Sequence, residues 1–505
     1  MNFIKRKLTD ETATTALGRE LSLFCRKGMT ICLHGDLGAG KTTLARALIQ
    51  ALSDTDETPD VPSPTFSLMQ PYDELRIDVH HFDLYRIDQI DEIYELGLFD
   101  DMENRLTLIE WPDRLGSEIP PDRLDVYLEI EDSTRSAKIS GLGETAPIVN
   151  RMATVAKFLA DSEWSNAQRC FLQGDASARR YERLTQVDGG KAILMDMPKA
   201  SDGPTIRDGK TYSQIAHIAE GIVPVAAINA KLLDMGFSAP RSLQQDLENG
   251  LMIIEDFGDN VFGTMFGNKQ DIEQPMETAT ELLVEMTSMK WPDVVDGHKI
   301  ARFDFPAFAM EAELLLDWFW PLQKTGQADE QVRQSFIDIW KQLFALIKTD
   351  RPVWVLRDFH SPNLIWMPER QGIKRVGLID TQDCLLGHPA YDLVSMLQDA
   401  RIDLPRHFET KFHEYYLSLR QRRDENFDAP AFETAYAIFG AQRATKILGI
   451  FARLYMRDGK PGYLQHIPRV YAALEKNLRH PALGNLADWY KTNLPAPERQ
   501  SGDLP

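Results

Sequence analysis

Between Met29 and Leu52 the chain passes from a short apolar stretch, MTICL, through a glycine-rich polar loop, into Leu44, Ala45, Leu48 and Ile49 at helical spacing. The pattern predicts strand, loop and helix in that order. Further strands are expected over Val79 to Leu84, Leu106 to Glu110, Leu124 to Glu131 and Lys138 to Ser140, set between turns marked by Pro62, Pro64, Pro112 and Pro120. From Ser140 to Asn150 the patterning weakens and reads as a linker. An amphipathic helix is expected to begin near Arg151.

Beyond it, Arg180 to Thr185, Ala192 to Met197 and Leu251 to Glu255 have strand character, and Tyr212 to Met235 is helical with a break at Pro224. Helical spacing dominates from 270 to 350 (ELLVEM, AELLLDWFW, SFIDIWKQLFALI) and resumes later to about residue 490. The order predicts two domains, 1–145 and 150–490. The second divides into a small β lobe at about 165–260 and a helical lobe at about 261–490. No repeat or low-complexity tract is evident, and the tail PAPERQSGDLP is expected to fray. Trp318, Phe319 and Trp320 read as helical core, and His80 and His81 as strand residues without metal-ligand spacing.

At 505 residues, with 43% apolar and 26% charged side chains, the chain has material for several cores. Its formal charge is −20, and about −13 of that falls before residue 150, mostly after the first 50 residues. So acidic a surface argues against tight nucleic-acid binding by this chain alone and favours protein partners and small substrates. The four cysteines, Cys25, Cys32, Cys170 and Cys384, lack C-x-x-C spacing, which argues for reduced thiols rather than a zinc site or disulfides. No signal sequence opens the chain, and no apolar run reaches the ~18 residues that a membrane span needs, so a cytosolic protein is expected.

Against this background two phosphate-handling motifs stand out. GDLGAGKT, formed by Gly35, Asp36, Leu37, Gly38, Ala39, Gly40, Lys41 and Thr42, matches G-x-x-x-x-G-K-[ST] in full, with a predicted strand before it and helix after it. Backbone amides of such a P-loop turn inward around the β-phosphate of ATP, with Thr43 following at the start of the helix. Lys41 reaches the β and γ oxygens, and the Thr42 hydroxyl ligates Mg²⁺. A second acid is required, and two carboxylates close predicted strands: Asp83 in HFDLYR and Glu110 in LTLIEWPDR. Thr65 in PSPTFSL is either part of a rigid turn or a switch residue.

The run GDLGAGKTT, SPTFSL, HFDLYR, Glu95 to Gly97 and IEWPDR, over residues 5 to 143, resembles the TsaE family, bacterial ATPases of tRNA threonylcarbamoyladenosine synthesis. The resemblance implies Thr42 and Glu110 as magnesium ligands, Asp83 and Thr65 near the γ-phosphate, and Trp111 beside the site. Glu11 and Arg135 fall where that family has further nucleotide contacts. It also implies partners of the TsaD and TsaB type, the transferase complex that carries out the tRNA chemistry at adenosine 37.

The second motif is LRDFHSPN, Leu356 to Asn363, followed by LIDTQD, Leu378 to Asp383. A kinase-like phosphoryl transfer needs a carboxylate for the substrate hydroxyl, an amide oxygen for one metal and a carboxylate for another. Asp358, Asn363 and Asp380 suit those roles in that order. With GDASARRY (Gly174 to Tyr181), AILMDMP, MIIEDFGD and PAYDLVSMLQD, the region from about 150 to 485 resembles the aminoglycoside phosphotransferase family, and within it the kinases of N-acetylmuramate and N-acetylglucosamine. By that resemblance Glu255 to Phe257, with Glu255 and Phe257 at its ends, forms the hinge facing adenine, and Asp392 holds the catalytic loop.

Two departures qualify it. Leu356 replaces a frequent histidine, although His360 remains in the loop, and Met195 stands where kinases carry a phosphate-binding lysine, with no glutamate partner on the helix around Val225 to Met235. Arg179 or Arg180 is expected to replace that charge, since a guanidinium grips phosphate bidentately. The fold class expected is therefore an α/β P-loop NTPase domain followed by a bilobal α+β kinase-like domain, and the function an ATPase fused to an amino-sugar phosphotransferase. The alternative is a silent, ligand-sensing pseudokinase that regulates the ATPase. A nucleotide kinase or GTPase acting alone is disfavoured, because the segment after the loop is too short for a lid and no N/T-K-x-D motif occurs.

Overall fold

The computed structural model describes residues 3–54, 58–131, 134–172, 179–199, 203–348 and 351–495. Contacts divide the chain into two compact units, Met1–Asp196 and Met197–Pro505.

In the first unit, strands β1 (Phe3–Leu8), β2 (Thr30–His34), β3 (Met69–Tyr72), β4 (Val79–Asp83), β5 (Leu106–Glu110), β6 (Arg123–Glu131) and β7 (Thr134–Leu142) form one mixed sheet in the order β1-β7-β6-β2-β5-β4-β3. Central β2 is buried along its whole length and runs parallel to β5 and β6, and β4 runs parallel to β5. That placement accounts for the unbroken apolar run of MTICL, since a strand covered on both faces has no solvent side to mark with polar residues. Helices α1 (Glu11–Ser22) and α2 (Lys41–Gln50) pack on each other, and a short α3 (Ile90–Glu95) follows β4.

Both edge strands and α1 escaped the sequence pattern. β1 (FIKRKL) buries only Ile4 and Leu8 and takes its register from β7, so its partner is remote in sequence. β3 contains Pro71, which an edge strand tolerates because the ladder continues on one side only. In the expected linker β7 runs on to Leu142, and α4 (Ala146–Ala160) begins five residues earlier than Arg151, with Pro147 in its first turn.

A meander of β8 (Gln168–Leu172), β9 (Arg180–Thr185) and β10 (Lys191–Asp196) completes the unit. Arg169 of β8 holds the fully buried Glu182 of β9 through two bonds of 2.7 and 3.0 Å, and lies 3.8 Å from Glu20 of α1. Two cation–π contacts tie the same strands to the P-loop region: Arg180 lies 3.8 Å over Phe24, and Arg76 lies 3.8 Å over Phe171.

The second unit carries the hairpin Ser242–Asp246 with Leu251–Glu255, then a helical body. Its 28-residue helix Ala429–Met456 is buried over most of its length and packs against the helices Phe305–Leu314, Ala390–Leu397 and Ile467–Leu478. Phe319 and Trp320 lie in this core and Trp318 is half-buried against it, as the aromatic cluster predicts. Between Tyr212 and Met235 the break precedes Pro224: the helix Tyr212–Ala216 stops at His217, with φ of 54°, and Val223–Asp234 starts with the proline in its first turn. Two short antiparallel strand pairs, Val353–Val355 with Leu385–Gly387 and Leu364–Trp366 with Val376–Leu378, frame the segments around Asp358 and Asp380. Among the described residues no helix is long and apolar enough to cross a membrane.

Beneath that frame, the fully buried Glu311 meets Arg357, Lys446 at 2.7 Å and Gln442 at 3.0 Å. Burial alone would raise its pKa, but Lys446 and Arg357 outweigh burial and bring it down to about 2.

Two stability measurements follow. Arg169→Ala strands a buried carboxylate and is expected to cost about 3 kcal/mol in urea unfolding, with Arg169→Ala/Glu182→Ala recovering part of the loss. Because Glu311 has a folded pKa below its unfolded one, its stabilisation is complete above about pH 4.5 and is lost as pH falls towards about 2. Glu311→Gln should flatten the stability profile across that window, a difference of about 3 kcal/mol in the wild type.

Candidate functional sites

Strand β2 ends at His34, the loop turns, and α2 begins at Lys41, capped by Gly40 in the left-handed region. Gly35 needs its missing side chain: with φ of 134°, a Cβ there would stand 2.4 Å from the Leu128 carbonyl oxygen. Lys41 is nearly buried, and its Nζ donates to the carbonyls of Gly35 (2.6 Å) and Asp36 (2.9 Å) and lies 3.7 Å over the Trp111 ring. Burial lowers its pKa, opposed by Glu110, Asp83 and Asp36. The ammonium is thus held by weak neutral acceptors that phosphate oxygens can outcompete.

The two strand-end acids are direct register partners, Asp83 of β4 opposite Glu110 of β5. Thr42 donates to Glu110 Oε2 at 3.1 Å, a hydroxyl and carboxylate together that suit a hard, oxygen-seeking cation such as magnesium. Thr65 donates to Asp83 Oδ2 at 2.8 Å, and the Tyr85 amide to Oδ1 at 3.0 Å. Arg135 reaches from β7 to the Gly38 carbonyl at 3.1 Å. These groups surround a cavity of about 440 Å³ together with Glu11, Leu37, Gly40 and Thr43.

Three contributors were not anticipated. His81, read from sequence as a plain strand residue, is fully buried and bonded at 3.0 Å to Glu110 Oε1, fixing the carboxylate that Thr42 shares. Tyr85 and Thr14 also line the cavity. His81 lies two residues before Asp83 on the same strand, so its side chain shares a face with that of Asp83, which was the available signal.

In the second unit Asp358 sits half-buried in the segment after Val353–Val355. Burial would raise its pKa, but His360, Lys446 and Arg443 outweigh that and hold it well below the usual carboxylate range. His360 Nε2 is 3.7 Å from its Oδ1. Asn363 donates through Nδ2 to the Asp358 carbonyl at 3.1 Å, which leaves its amide oxygen for a metal. The Asn363 carbonyl accepts from Ile379, the residue before Asp380, at 3.1 Å, so the segments of Asn363 and Asp380 are joined through the backbone. Gln382 donates to Asp380 Oδ1 at 3.1 Å.

Asp392 accepts from the amides of Leu356 (2.7 Å) and Arg357 (3.0 Å) and so holds the catalytic loop, the role expected of it. Asp399 does the same for Ser361 through its amide (2.8 Å) and hydroxyl (2.6 Å). At the hinge, Glu255 pairs with Arg370 (2.7 Å) and Arg241 (3.1 Å), and its amide donates to the Arg241 carbonyl, which removes that N–H from the groups available to a base. Phe257 packs against Gly377, where a Cβ would come within 2.7 Å of the ring.

The expectation for Arg180 requires correction. Its guanidinium bonds Asp196, lies 3.7 Å from Glu182 and covers Phe24, so contacts within the sheet and with the turn after α1 already occupy it. Arg179 is half-buried, and Gly174 to Ala178 of GDASARRY lie outside the described residues. Met195 is buried in β10. On Val223–Asp234, where a kinase would supply glutamate, Asn229 instead accepts from the Thr381 hydroxyl at 2.7 Å and so steadies the residue after Asp380.

The family model described as threonylcarbamoyl adenosine biosynthesis protein TsaE matches residues 8–138, and that described as phosphotransferase enzyme family matches residues 169–426. A protein named N-acetylmuramate/N-acetylglucosamine kinase from Caulobacter vibrioides is 33% identical over 363 residues, covering 69% of this chain and 98% of its own. Its namesake from Neisseria meningitidis serogroup B is 30% identical over 312 residues, 59% of this chain and 82% of its own. The tRNA threonylcarbamoyladenosine biosynthesis protein TsaE of Rickettsia felis is 35% identical over 128 residues, 25% of this chain and 74% of its own. Each family model spans one of the two constellations just described: the chain belongs to the TsaE family through the domain of Lys41, Asp83 and Glu110, and to the phosphotransferase enzyme family through the domain of Asp358, Asn363 and Asp380.

Proposed function

We propose that this chain is a bifunctional ATP-using enzyme, one site serving tRNA threonylcarbamoylation and the other phosphorylating an amino sugar of the N-acetylmuramate or N-acetylglucosamine kind at its anomeric hydroxyl. The observation that carries the reading is that each site has its own acids: Glu110 and Asp83 in the first, held by hydrogen-bond donors, and Asp358 in the second, with His360 Nε2 3.7 Å from its Oδ1.

In the first site the loop amides wrap the phosphates and Lys41 leaves its carbonyl acceptors for the β and γ oxygens. Asp83, fixed by Thr65 and the Tyr85 amide, orients the attacking water. Magnesium at Thr42 and Glu110 would neutralise phosphate charge. The acidic surface suits a role exerted on protein partners of the TsaD and TsaB type rather than on RNA.

In the second site Asp358 is ionised at neutral pH and orients the sugar hydroxyl. As the hydroxyl oxygen bonds to the γ-phosphorus and the bond to ADP breaks, Asp358 receives the proton. Asn363 and Asp380 fit the metal that accompanies ATP. The relatives named as kinases favour turnover over a silent sensor domain.

The test is a double dissociation in the full chain. Asp358→Asn should lower sugar-dependent ADP release by about 1,000-fold while leaving partner-stimulated ATPase intact. Glu110→Gln should do the reverse. Sugar-dependent release that persists in Asp358→Asn would remove that residue from the reaction. A wild type inert towards both sugars would remove the kinase reading altogether.

A further inference from the structure

Ser63, the first residue of SPTFSL, is exposed and lines the P-loop cavity beside Thr65 and Asp83. It stands between Pro62 and Pro64. The first ring fixes its own φ and the second bars Ser63 from the helical region, so the residue is held extended at little entropic cost. The segment around it is hung at both ends. Upstream, Arg46 and Gln50 of α2 donate to the carbonyls of Val61 (2.9 Å) and Pro59 (3.2 Å). Downstream, the Leu68 amide closes a turn onto the Pro64 carbonyl at 2.6 Å, and the Asp83 amide donates to the Leu68 carbonyl at 3.0 Å. Thr65 therefore sits in a rigid turn that joins α2 to the strand of Asp83, rather than in a free switch.

Within this frame two hydroxyls lead to a carboxylate. Thr65 Oγ1 donates to Asp83 Oδ2 at 2.8 Å and lies 2.6 Å from Ser63 Oγ. A threonine hydroxyl carries one hydrogen, and Asp83 holds it. Ser63 is therefore the donor of the second bond, and Thr65 its acceptor. That order has two consequences. A hydroxyl that accepts a hydrogen bond becomes a stronger donor, so Ser63 tightens the hold of Thr65 on Asp83. Thr65 also keeps one unused lone pair. Asp83 has capacity to spare as well: Thr65 takes one acceptor position on Oδ2 and the Tyr85 amide one on Oδ1. Both Thr65 and Asp83 line the cavity. A water there can give one hydrogen to Asp83 and the other to Thr65, which leaves its own lone pair for the γ-phosphorus of a nucleotide.

We propose that Ser63 is a positioning residue of the P-loop ATPase: by donating to Thr65 it fixes the direction of the Thr65–Asp83 pair and so orients the attacking water. The assignment rests on the reading of Asp83 given above. As the water oxygen bonds to the γ-phosphorus the bond to ADP breaks, and the water proton passes by way of Asp83 to the released phosphate. The full chain should be assayed in single turnovers of ATP without sugar, with the residual rate of Glu110→Gln subtracted. Ser63→Ala is expected to lower the rate about 5- to 10-fold, the worth of one hydrogen bond, while ATP affinity stays within about twofold. Ser63→Thr keeps the hydroxyl and should restore the rate. Because the effect passes through Thr65, Ser63→Ala should cost nothing further once Thr65→Val is present. A wild-type rate in Ser63→Ala, a loss that Ser63→Thr leaves unrepaired, or equal losses with and without the Thr65 hydroxyl would overturn the proposal. Full activity in Asp83→Asn would remove the reading of Asp83, and the proposal with it. If the wild type hydrolyses no ATP, the ATPase reading falls by itself. Calorimetric binding of ADP with magnesium and aluminium fluoride, a mimic of the phosphoryl group in transfer, then still decides the role of Ser63. Weakening of about fivefold or more in Ser63→Ala, relative to ADP alone, supports it, and equal binding ends it.

Discussion

A carboxylate withdrawn from water has to be met by donors or cations, and this constraint shapes both sites of the chain. Glu110 is met by His81 and Thr42, and Asp83 by Thr65 and the Tyr85 amide. In the kinase-like domain Asp392 and Asp399 take backbone amides of the catalytic loop itself, so the same bonds that satisfy the acids set the loop that presents Asp358. Glu311 with Arg357 and Lys446, and Glu182 with Arg169, repeat the solution where no substrate is involved. Acids that serve chemistry differ in one respect: part of their oxygen surface is left facing a cavity or solvent.

The same logic explains how the kinase-like domain is built without the usual lysine. An unpartnered lysine or glutamate in that interior would be expensive, and the domain carries neither. Met195 fills the strand position as an apolar side chain, and the helix position turns to Asn229, whose neutral amide bonds Thr381. The helix still meets the segment of Asp380, through a neutral contact in place of a charged one.

Much of the first site was legible because a P-loop is local. Eight consecutive residues set the turn, the amides and the lysine, and the strand-end acids were marked by apolar runs that stop at a carboxylate. His81 was not legible in the same way, because its value comes from lying beside β5, and nothing in HHFD states which strand will be its neighbour. Arg180 shows the opposite failure. Its sequence position suited phosphate, but Asp196, Glu182 and Phe24 reach it first, and two of those three are distant in sequence.

What the sequence by itself determined is therefore whatever depends on short-range order: two phosphate-handling motifs, the glycines that only a tight loop requires, and the absence of the lysine. Tertiary structure decided which carboxylates share donors, that β4 and β5 lie in the register placing Asp83 opposite Glu110, and that Arg180 is committed elsewhere. The physical reason is range. Backbone propensity and turn chemistry act within a few residues, whereas pairing of buried charge depends on which segments meet in space.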